Sequence, residues 1–255
     1  MTLENWQKSA MAIRKEIKKI TGIVIRKVDY KDSDQIIEIL SKEGRFSFLA
    51  KGVKKLTSKN ASSLLLLTKG TYTLLEGPQG GLSLKEGSIE RTIAISEDPK
   101  RVFALNFLSE LSRSFINETS NFERLFCLLD KILEEINRGY DPLSASLLFF
   151  ANLLKENGLT LNVSECVRCG NKRDIIGISY RDGGFICKHH LESESEKRSV
   201  YELKVLRYSF LVPLGKIGMV SFENKTTLKL LREWGSFVLD NFGYKITSLK
   251  LLSMF

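Results

Sequence analysis

Histidine is nearly absent from this sequence, with two residues among 255. The sequence also lacks a GxxxxGK(S/T) phosphate loop, a GxGxxG turn, an HExxH helix and a GxSxG elbow. General acid–base chemistry would therefore depend on carboxylates or lysines. These absences argue against a P-loop ATPase and the common hydrolases, so we expect no enzymatic activity.

Long apolar runs are missing as well. None approaches the ~18 residues that a membrane-spanning helix needs. The first residues also carry no charged-then-apolar signal with a small-residue cleavage site. The sequence therefore predicts a cytoplasmic protein without a membrane partner, associated with the nucleoid if it binds DNA.

Acidic residues are in the minority. The 30 Asp and Glu face 39 Lys and Arg, for a net charge of +9 and a pI near 9.3. A polyanionic partner such as DNA is one interpretation, since neutralising phosphates releases counterions. A soluble protein that happens to be basic is the other, and charge alone leaves both open.

A change of hydrophobic period divides the chain and predicts an α+β fold. Period-two alternation and about five short strands between residues 20 and 95 predict an OB-type β-barrel. Helical periodicity follows over residues 96–255. Ahead of the barrel, residues 1–19 are predicted as an amphipathic helical extension, because one apolar stripe runs through Leu3, Trp6, Ala10, Ile13, Ile17 and Ile20. That helix packs against the barrel, or its basic side binds nucleic acid or a membrane.

Three of the four cysteines lie between residues 166 and 187, and in a reducing compartment such clustering indicates a metal site. Cys166 and Cys169 are separated by two residues, and so are Cys187 and His190. Residues 176–186 between the two pairs predict a hairpin that brings them together. We therefore predict a zinc knuckle at residues 164–190, with one structural ion held by Cys166, Cys169, Cys187 and His190. His189 is the alternative fourth ligand.

Lysines are concentrated in one predicted loop, since residues 51–59 contain Lys51, Lys54, Lys55 and Lys59 and no acid. The loop follows a predicted strand with Arg45 just before it and Phe46 and Phe48 on one face, which we place in the barrel core. Beside an OB barrel, such a loop suits the backbone of a single strand, although a merely solvated loop is the alternative. These four lysines, Arg45 and, more weakly, Arg26 are the candidate DNA-binding residues.

One acidic cluster could hold Mg²⁺ for a nuclease. It consists of Asp29, Asp32 and Asp34, in a turn rich in Ser and Lys. Such residues favour a role in the turn itself. A nuclease is therefore the weakest of the candidate functions.

Segments along residues 20–252 share a pattern, in this order: Gly22-Ile-Val-Ile-Arg26, Asp29-Tyr30, Ser33-Asp34, Gly44-Arg-Phe-Ser, Ala50-Lys51-Gly52, Leu153-Leu154-Lys-Glu-Asn-Gly158, Cys166-x-x-Cys169-Gly170, Gly183-Gly184, Cys187 and Phe242-Gly243-Tyr-Lys-Ile-Thr-Ser248. Together they resemble the RecO family of bacterial recombinational repair proteins. Two features depart from that family: position 190 is His where the family usually has Cys, and the family usually begins near Ile20.

The resemblance implies an OB domain, a helical domain and a zinc element. It further implies binding of single- and double-stranded DNA, annealing of complementary strands, and cooperation with RecR to load RecA on coated single strands. Contact with the C-terminal tail of single-stranded-DNA-binding protein is also implied. The alternative is a zinc-stabilised adaptor that binds proteins through an apolar helical face, without direct DNA binding.

Overall fold

The computed structural model describes residues 17–77, 80–93, 97–115, 120–192 and 195–255. They fall into two compact units, the first ending at Ile93. No helix among these residues is long and apolar enough to cross a membrane.

The first unit is a closed five-stranded barrel in the order β1-β2-β3-β5-β4, which confirms the predicted barrel. Its strands are β1 (Ile17–Tyr30), β2 (Asp34–Ser41), β3 (Arg45–Ala50), β4 (Lys69–Glu76) and β5 (Leu82–Arg91). The long strand β1 pairs with β4 through its first half and with β2 through its second, with a bulge between Val24 and Arg26. A bulge bends and twists a strand, which suits one strand that serves two neighbours.

The predicted helix over residues 1–19 lies mostly outside the described residues, but residues 17–19 are a strand, and that part of the prediction was wrong. Ile17 pairs with Leu75 and Lys19 with Thr73 in an antiparallel ladder. The apolar spacing of a four-residue segment suits a helix or a strand equally well. The β4 partner, some fifty residues away along the chain, satisfies the backbone and decides the outcome.

The barrel core is aliphatic and aromatic. Phe48 is 2% exposed and the partly buried Phe46 packs against the same cluster, so the prediction that both rings face the core is confirmed. The other members include Val24, Ile37, Ile39, Leu64, Tyr72 and Leu74.

The second unit contains α1 (Pro99–Ser114), α2 (Phe122–Asn137), α3 (Pro142–Glu156), α4 (Val200–Leu211) and α5 (Asn224–Phe242). Side chains of Asp98, Asn121, Asp141 and Ser199 cap the N-termini of the first four of these helices. Helix α3 begins directly after Asp141, with Pro142 in its first turn, where a proline costs no hydrogen bond. Cys127 in α2 is half-buried.

A small sheet of β6 (Ile175–Ser179), β7 (Gly184–Cys187) and β8 (Glu196–Lys197) belongs to this second unit, in the order β7-β6-β8. The indole N–H of Trp234 in α5 donates to the hydroxyl of Tyr180, just after β6, over 3.0 Å. Arg198, whose side chain is fully buried, pairs with Glu196 beside it and with Glu233 in α5. These polar contacts fix the small sheet against the helices.

Candidate metal centre and basic loop

The two halves of the predicted knuckle meet in space. The ligand atoms of Cys166, Cys169, Cys187 and His190 all lie within 4.8 Å of one another. The Sγ atoms of Cys169 and Cys187 are 3.8 Å apart, and Nδ1 of His190 lies 3.4 Å from Sγ of Cys187 and 3.8 Å from Sγ of Cys166. The predicted convergence of these four residues is therefore confirmed, and together they could bind a metal ion.

The arrangement fits a small tetrahedral ion. Bonds of about 2.3 Å to sulfur and about 2.0 Å to nitrogen place the vertices of a tetrahedron about 3.8 Å (S–S) and about 3.5 Å (S–N) apart. The 3.8 Å separation of Cys169 and Cys187 and the 3.4 Å separation of Cys187 and His190 match these values, and the 3.8 Å between Cys166 and His190 is about 0.3 Å longer. His189 is exposed and is not a member of the cluster, whereas His190 is half-buried.

Backbone hydrogen bonds align the two halves. Asn162 forms a parallel bridge to Gly184, and its carbonyl accepts from the N–H of Phe185 over 2.9 Å. The N–H of Val167 donates to the carbonyl of Phe185 over 2.9 Å. Residues 162–167 therefore run beside β7, which carries Cys166 to the side of Cys187.

Gly184 makes this approach possible. A Cβ atom at this position would lie 2.3 Å from the carbonyl oxygen of Asn162 and 2.8 Å from Cγ1 of Val167. No ordinary side chain fits there without moving backbone. The hairpin that the sequence predicts between the two ligand pairs is confirmed, with β6 and β7 paired from Ile175–Cys187 to Ser179–Gly184.

The pKa shifts of two of the clustered thiols, Cys166 and Cys169, are consistent with a cation site. Burial opposes ionisation of the Cys166 thiol, but backbone N–H groups around the site, including that of Arg168, donate to it and lower its pKa to about 6. For Cys169, a backbone hydrogen bond from Asn171 favours the thiolate, yet burial and the neighbouring sulfurs leave the pKa raised. A positive charge shared by Cys166 and Cys169 would favour the thiolate form of both.

Arg168 lies inside the first ligand pair and ties it to the rest of the knuckle. Its Nη2 donates to Asp182 in the hairpin turn over 2.8 Å and to Glu192 over 2.9 Å. This positive guanidinium lowers the pKa of both carboxyl groups. The sequence did not single out Arg168, since neither acid is near it along the chain.

Hydrogen bonds hold the backbone of the basic loop in a defined conformation. The N–H of Gly52, in the left-handed conformation with φ 63°, donates to the carboxylate of Asp34 over 2.7 Å, and the N–H of Lys54 donates to the carbonyl of Ser33 over 3.0 Å. Val53 is buried in the barrel core. The loop is therefore fixed against the β1–β2 turn, and its lysine side chains extend from a defined backbone.

The candidate DNA-binding residues divide into two groups. Lys51, Lys55 and Lys59 are exposed, and among the described residues no carboxylate lies within ion-pair distance of them. Lys54, by contrast, pairs with Asp29 over 2.8 Å. Arg45 pairs with Glu38 over 3.4 Å, and Arg26 is exposed opposite Glu38 in the β1–β2 ladder.

Two of the three carboxylates considered for Mg²⁺, those of Asp29 and Asp34, have other partners. Asp34 holds the basic loop through Gly52, and Asp29 accepts hydrogen bonds from Gln35 and Lys54, which lower its pKa. In the part of the chain that the structure describes, the Cys166 cluster is the one group of three or more His, Cys, Asp or Glu that could hold a metal ion. The contacts of Asp29 and Asp34 agree with the structural role in the turn that the sequence favoured.

A small closed barrel followed by a helical unit with a Cys₃His cluster defines the architecture. The sequence models for "Recombination protein O N terminal" and "Recombination protein O C terminal" match residues 14–91 and 96–250. The protein named DNA repair protein RecO from Bacillus cytotoxicus is 32% identical over 211 residues, which cover 82% of this chain and 85% of the relative. Its namesake from Bacillus cereus strain B4264 is 32% identical over 212 residues, with the same coverage. The chain therefore belongs to the RecO family, as the sequence resemblance predicted.

Proposed function

We propose that this protein is a non-enzymatic DNA-binding recombination mediator in DNA repair. It binds single- and double-stranded DNA, anneals complementary strands and, with RecR, helps to load RecA on single strands coated by single-stranded-DNA-binding protein, whose C-terminal tail it contacts. The observation that carries the proposal is the fixed loop in which Lys51, Lys55 and Lys59 are exposed and have no acidic partner among the residues that the structure describes. Membership of a family whose relatives are named DNA repair proteins supports it.

The proposed mechanism is passive. Lysine ammonium groups that replace counterions on two strands lower the repulsion between phosphates, so that base pairing completes the annealing. Since Gly52 and Lys54 fix the loop backbone, little of it needs to be ordered on binding. Lys54 and Arg45 contribute less than the other three, because each already neutralises a carboxylate.

We also propose that the metal is zinc and that its role is structural. Cys166, Cys169, Cys187 and His190 would hold it, and four protein ligands leave no open position for water or substrate. The ion would fix residues 162–192 by linking two turns that hydrogen bonds alone connect weakly.

The test uses full-length protein purified without chelator. Fluorescence anisotropy with labelled single-stranded and duplex DNA at two salt concentrations should show binding to both, with a steep loss at the higher salt. Complementary oligonucleotides should anneal faster with the protein, with no ATP hydrolysis and no Mg²⁺-dependent cleavage. Salt-independent or absent binding would reject a DNA-binding role, and turnover lost on changing Asp32 and Asp34 would indicate an enzyme.

A protein adaptor is the second candidate, and one observation favours it. Val200 and Leu211, at the two ends of α4, are 70% and 55% exposed, and Leu214 nearby is exposed too. Retention of RecR by the immobilised protein, without DNA binding at low salt, would support this function over the first.

A further inference from the structure

The four candidate metal ligands differ in their access to solvent. Cys166 and Cys187 are 1% and 0% exposed, and His190 is half-buried. Of the four, Cys169 alone is exposed. Oxidation of a cysteine depends on its exposure and on its thiolate character, and a bound metal ion keeps its cysteine ligands in the thiolate form. A small oxidant therefore reaches this site at the sulfur of Cys169.

A second sulfur lies within reach of Cys169. Its Sγ is 3.8 Å from Sγ of Cys187, whereas an S–S bond measures about 2.05 Å. Cys187 is fixed in β7, where it pairs with Ile175. Cys169 instead lies in a turn that ends at Gly170, which has a left-handed φ of 71° and open space around it. The exposed sulfur therefore has room to move towards the fixed one.

We infer that Cys169 is a site of oxidation by hydrogen peroxide, and that Cys187 then captures the oxidised sulfur as a disulfide, which releases the metal ion. The Cys169 thiolate attacks one oxygen of the peroxide, which breaks the O–O bond, forms a sulfenic acid and expels hydroxide. The Cys187 thiolate attacks that sulfur, forms the S–S bond and expels a second hydroxide. The two thiolates together lose two electrons, and the peroxide accepts both.

The identity of the fourth ligand makes this oxidation decisive for the metal. Once Cys169 and Cys187 are joined, Cys166 and His190 are the ligands that remain of the four. An imidazole is not oxidised to a disulfide, but a single thiolate and a single imidazole do not complete the tetrahedral site that zinc requires. The inference rests on the proposed zinc site and is independent of the proposed binding of DNA.

The knuckle contacts α4 through Arg207, so the oxidation has an effect beyond the site. Nε of Arg207 donates to the carbonyl of Val163 over 2.8 Å, and its guanidinium lies 5.6 Å from the centre of the Phe185 ring. Val163 and Phe185 belong to the two segments that the metal would hold together. Loss of the ion therefore loosens these contacts of Arg207, and oxidation at Cys169 changes the surface of α4.

The experiment treats zinc-loaded full-length protein with an equimolar amount of hydrogen peroxide. A chromophoric chelator follows the released zinc, and peptide mass mapping after alkylation identifies the disulfide. Zinc release should equal disulfide formation, the bond should join Cys169 to Cys187, and dithiothreitol with added zinc should restore the site. Hydrogen exchange should rise in residues 162–192 and around Arg207 of the oxidised protein, and stay unchanged in the barrel.

Two variants complete the test. Cys169→His keeps a nitrogen ligand that cannot form a disulfide, and it should release zinc to peroxide about tenfold more slowly than the wild type. Cys127→Ser removes the half-buried cysteine of α2, which is not in the cluster, and should release zinc like the wild type. If Cys169→His binds no zinc, the disulfide mapped in the wild type decides the question alone.

Three results would overturn the inference. They are a disulfide between Cys166 and Cys169, oxidation of Cys127 with the zinc retained, and zinc release from a loaded Cys169→His as fast as from the wild type. A wild type purified without zinc would reject the proposed metal and the inference with it. A wild type that keeps its zinc under peroxide would reject the inference and leave the metal site standing.

Discussion

Nδ1 of His190 lies 3.4 Å from Sγ of Cys187, although the two residues are separated by the exposed Lys188 and His189. A tight turn follows β7, in which the N–H of His190 donates to the carbonyl of Cys187 over 3.0 Å. This turn directs both side chains to the metal-ligand cluster. His189, one position earlier, is directed to solvent.

The first prediction follows from this difference between neighbouring histidines. His190→Ala should lose most of the bound zinc, and His189→Ala should retain about one ion per chain, as measured by elemental analysis after dialysis. Hydrogen exchange should rise in residues 162–192 of the His190 variant and stay unchanged in the barrel. Zinc retained by His190→Ala but lost by His189→Ala would show that the other ring is the ligand.

The second prediction concerns the basic loop. The triple change of Lys51, Lys55 and Lys59 to Ala should weaken single-strand binding and lower the slope of log affinity against log salt by about 2, since each phosphate contact contributes about 0.7. The matched control changes three exposed lysines of the helical unit, which are Lys225, Lys245 and Lys250. Equal effects of both triple variants would mean that overall charge, and not this loop, binds the DNA.

The third prediction tests the close approach at Gly184. Gly184→Ala should destabilise the protein by about 1–3 kcal/mol and weaken zinc binding, because the new methyl group would lie 2.3 Å from the Asn162 oxygen. Gly215→Ala is the control, since open space surrounds that position. Thermal unfolding and a competitive zinc chelator measure the two effects. An alanine at position 184 that changes neither would show that residues 162–167 need not run against β7.

The fourth prediction concerns Glu110, a buried carboxylate of α1. It accepts hydrogen bonds from the N–H groups of Thr247 and Ser248, each over 2.7 Å, and from the hydroxyl of Tyr244 over 3.2 Å. Burial alone would raise the pKa of Glu110, but the hydrogen bonds from Ser248 and Thr247 leave it below its ordinary value. Glu110→Gln should cost about 2–3 kcal/mol at neutral pH, because it leaves donors without an acceptor.

The sign of the pH dependence follows from the lowered pKa. The contribution of Glu110 is complete above its ordinary pKa of 4.5 and is lost as the pH falls below that value. The stability gap between wild type and Glu110→Gln in urea titrations should therefore narrow on acidification from pH 6 towards pH 3. Asp240→Asn, an exposed change in α5, should leave no such gap. A gap that widens in acid would mean that Glu110 is protonated in the folded protein.

Local features of the sequence were sufficient for much of the fold. The Asp141-Pro142 start of α3 and the hairpin around Gly183-Gly184 are short-range signals, because a cap or a turn is decided within a few residues. The two-residue gaps at Cys166–Cys169 and Cys187–His190 likewise predicted the metal ligands, since such a gap allows both side chains of a pair to reach one ion.

The sequence by itself thus determined the α+β class, the family and the four converging metal ligands, because each depends on local period, spacing or the order of motifs. Tertiary structure alone decided which charges are free and which strand a residue joins. Residues 17–19 became strand because β4 pairs with them, and Lys54 and Arg45 differ from Lys51 only because Asp29 and Glu38 lie beside them. Those partners lie on other strands of the barrel, Asp29 on β1 and Glu38 on β2, and the folded strands bring together charges whose separation along the chain carries no pattern to read.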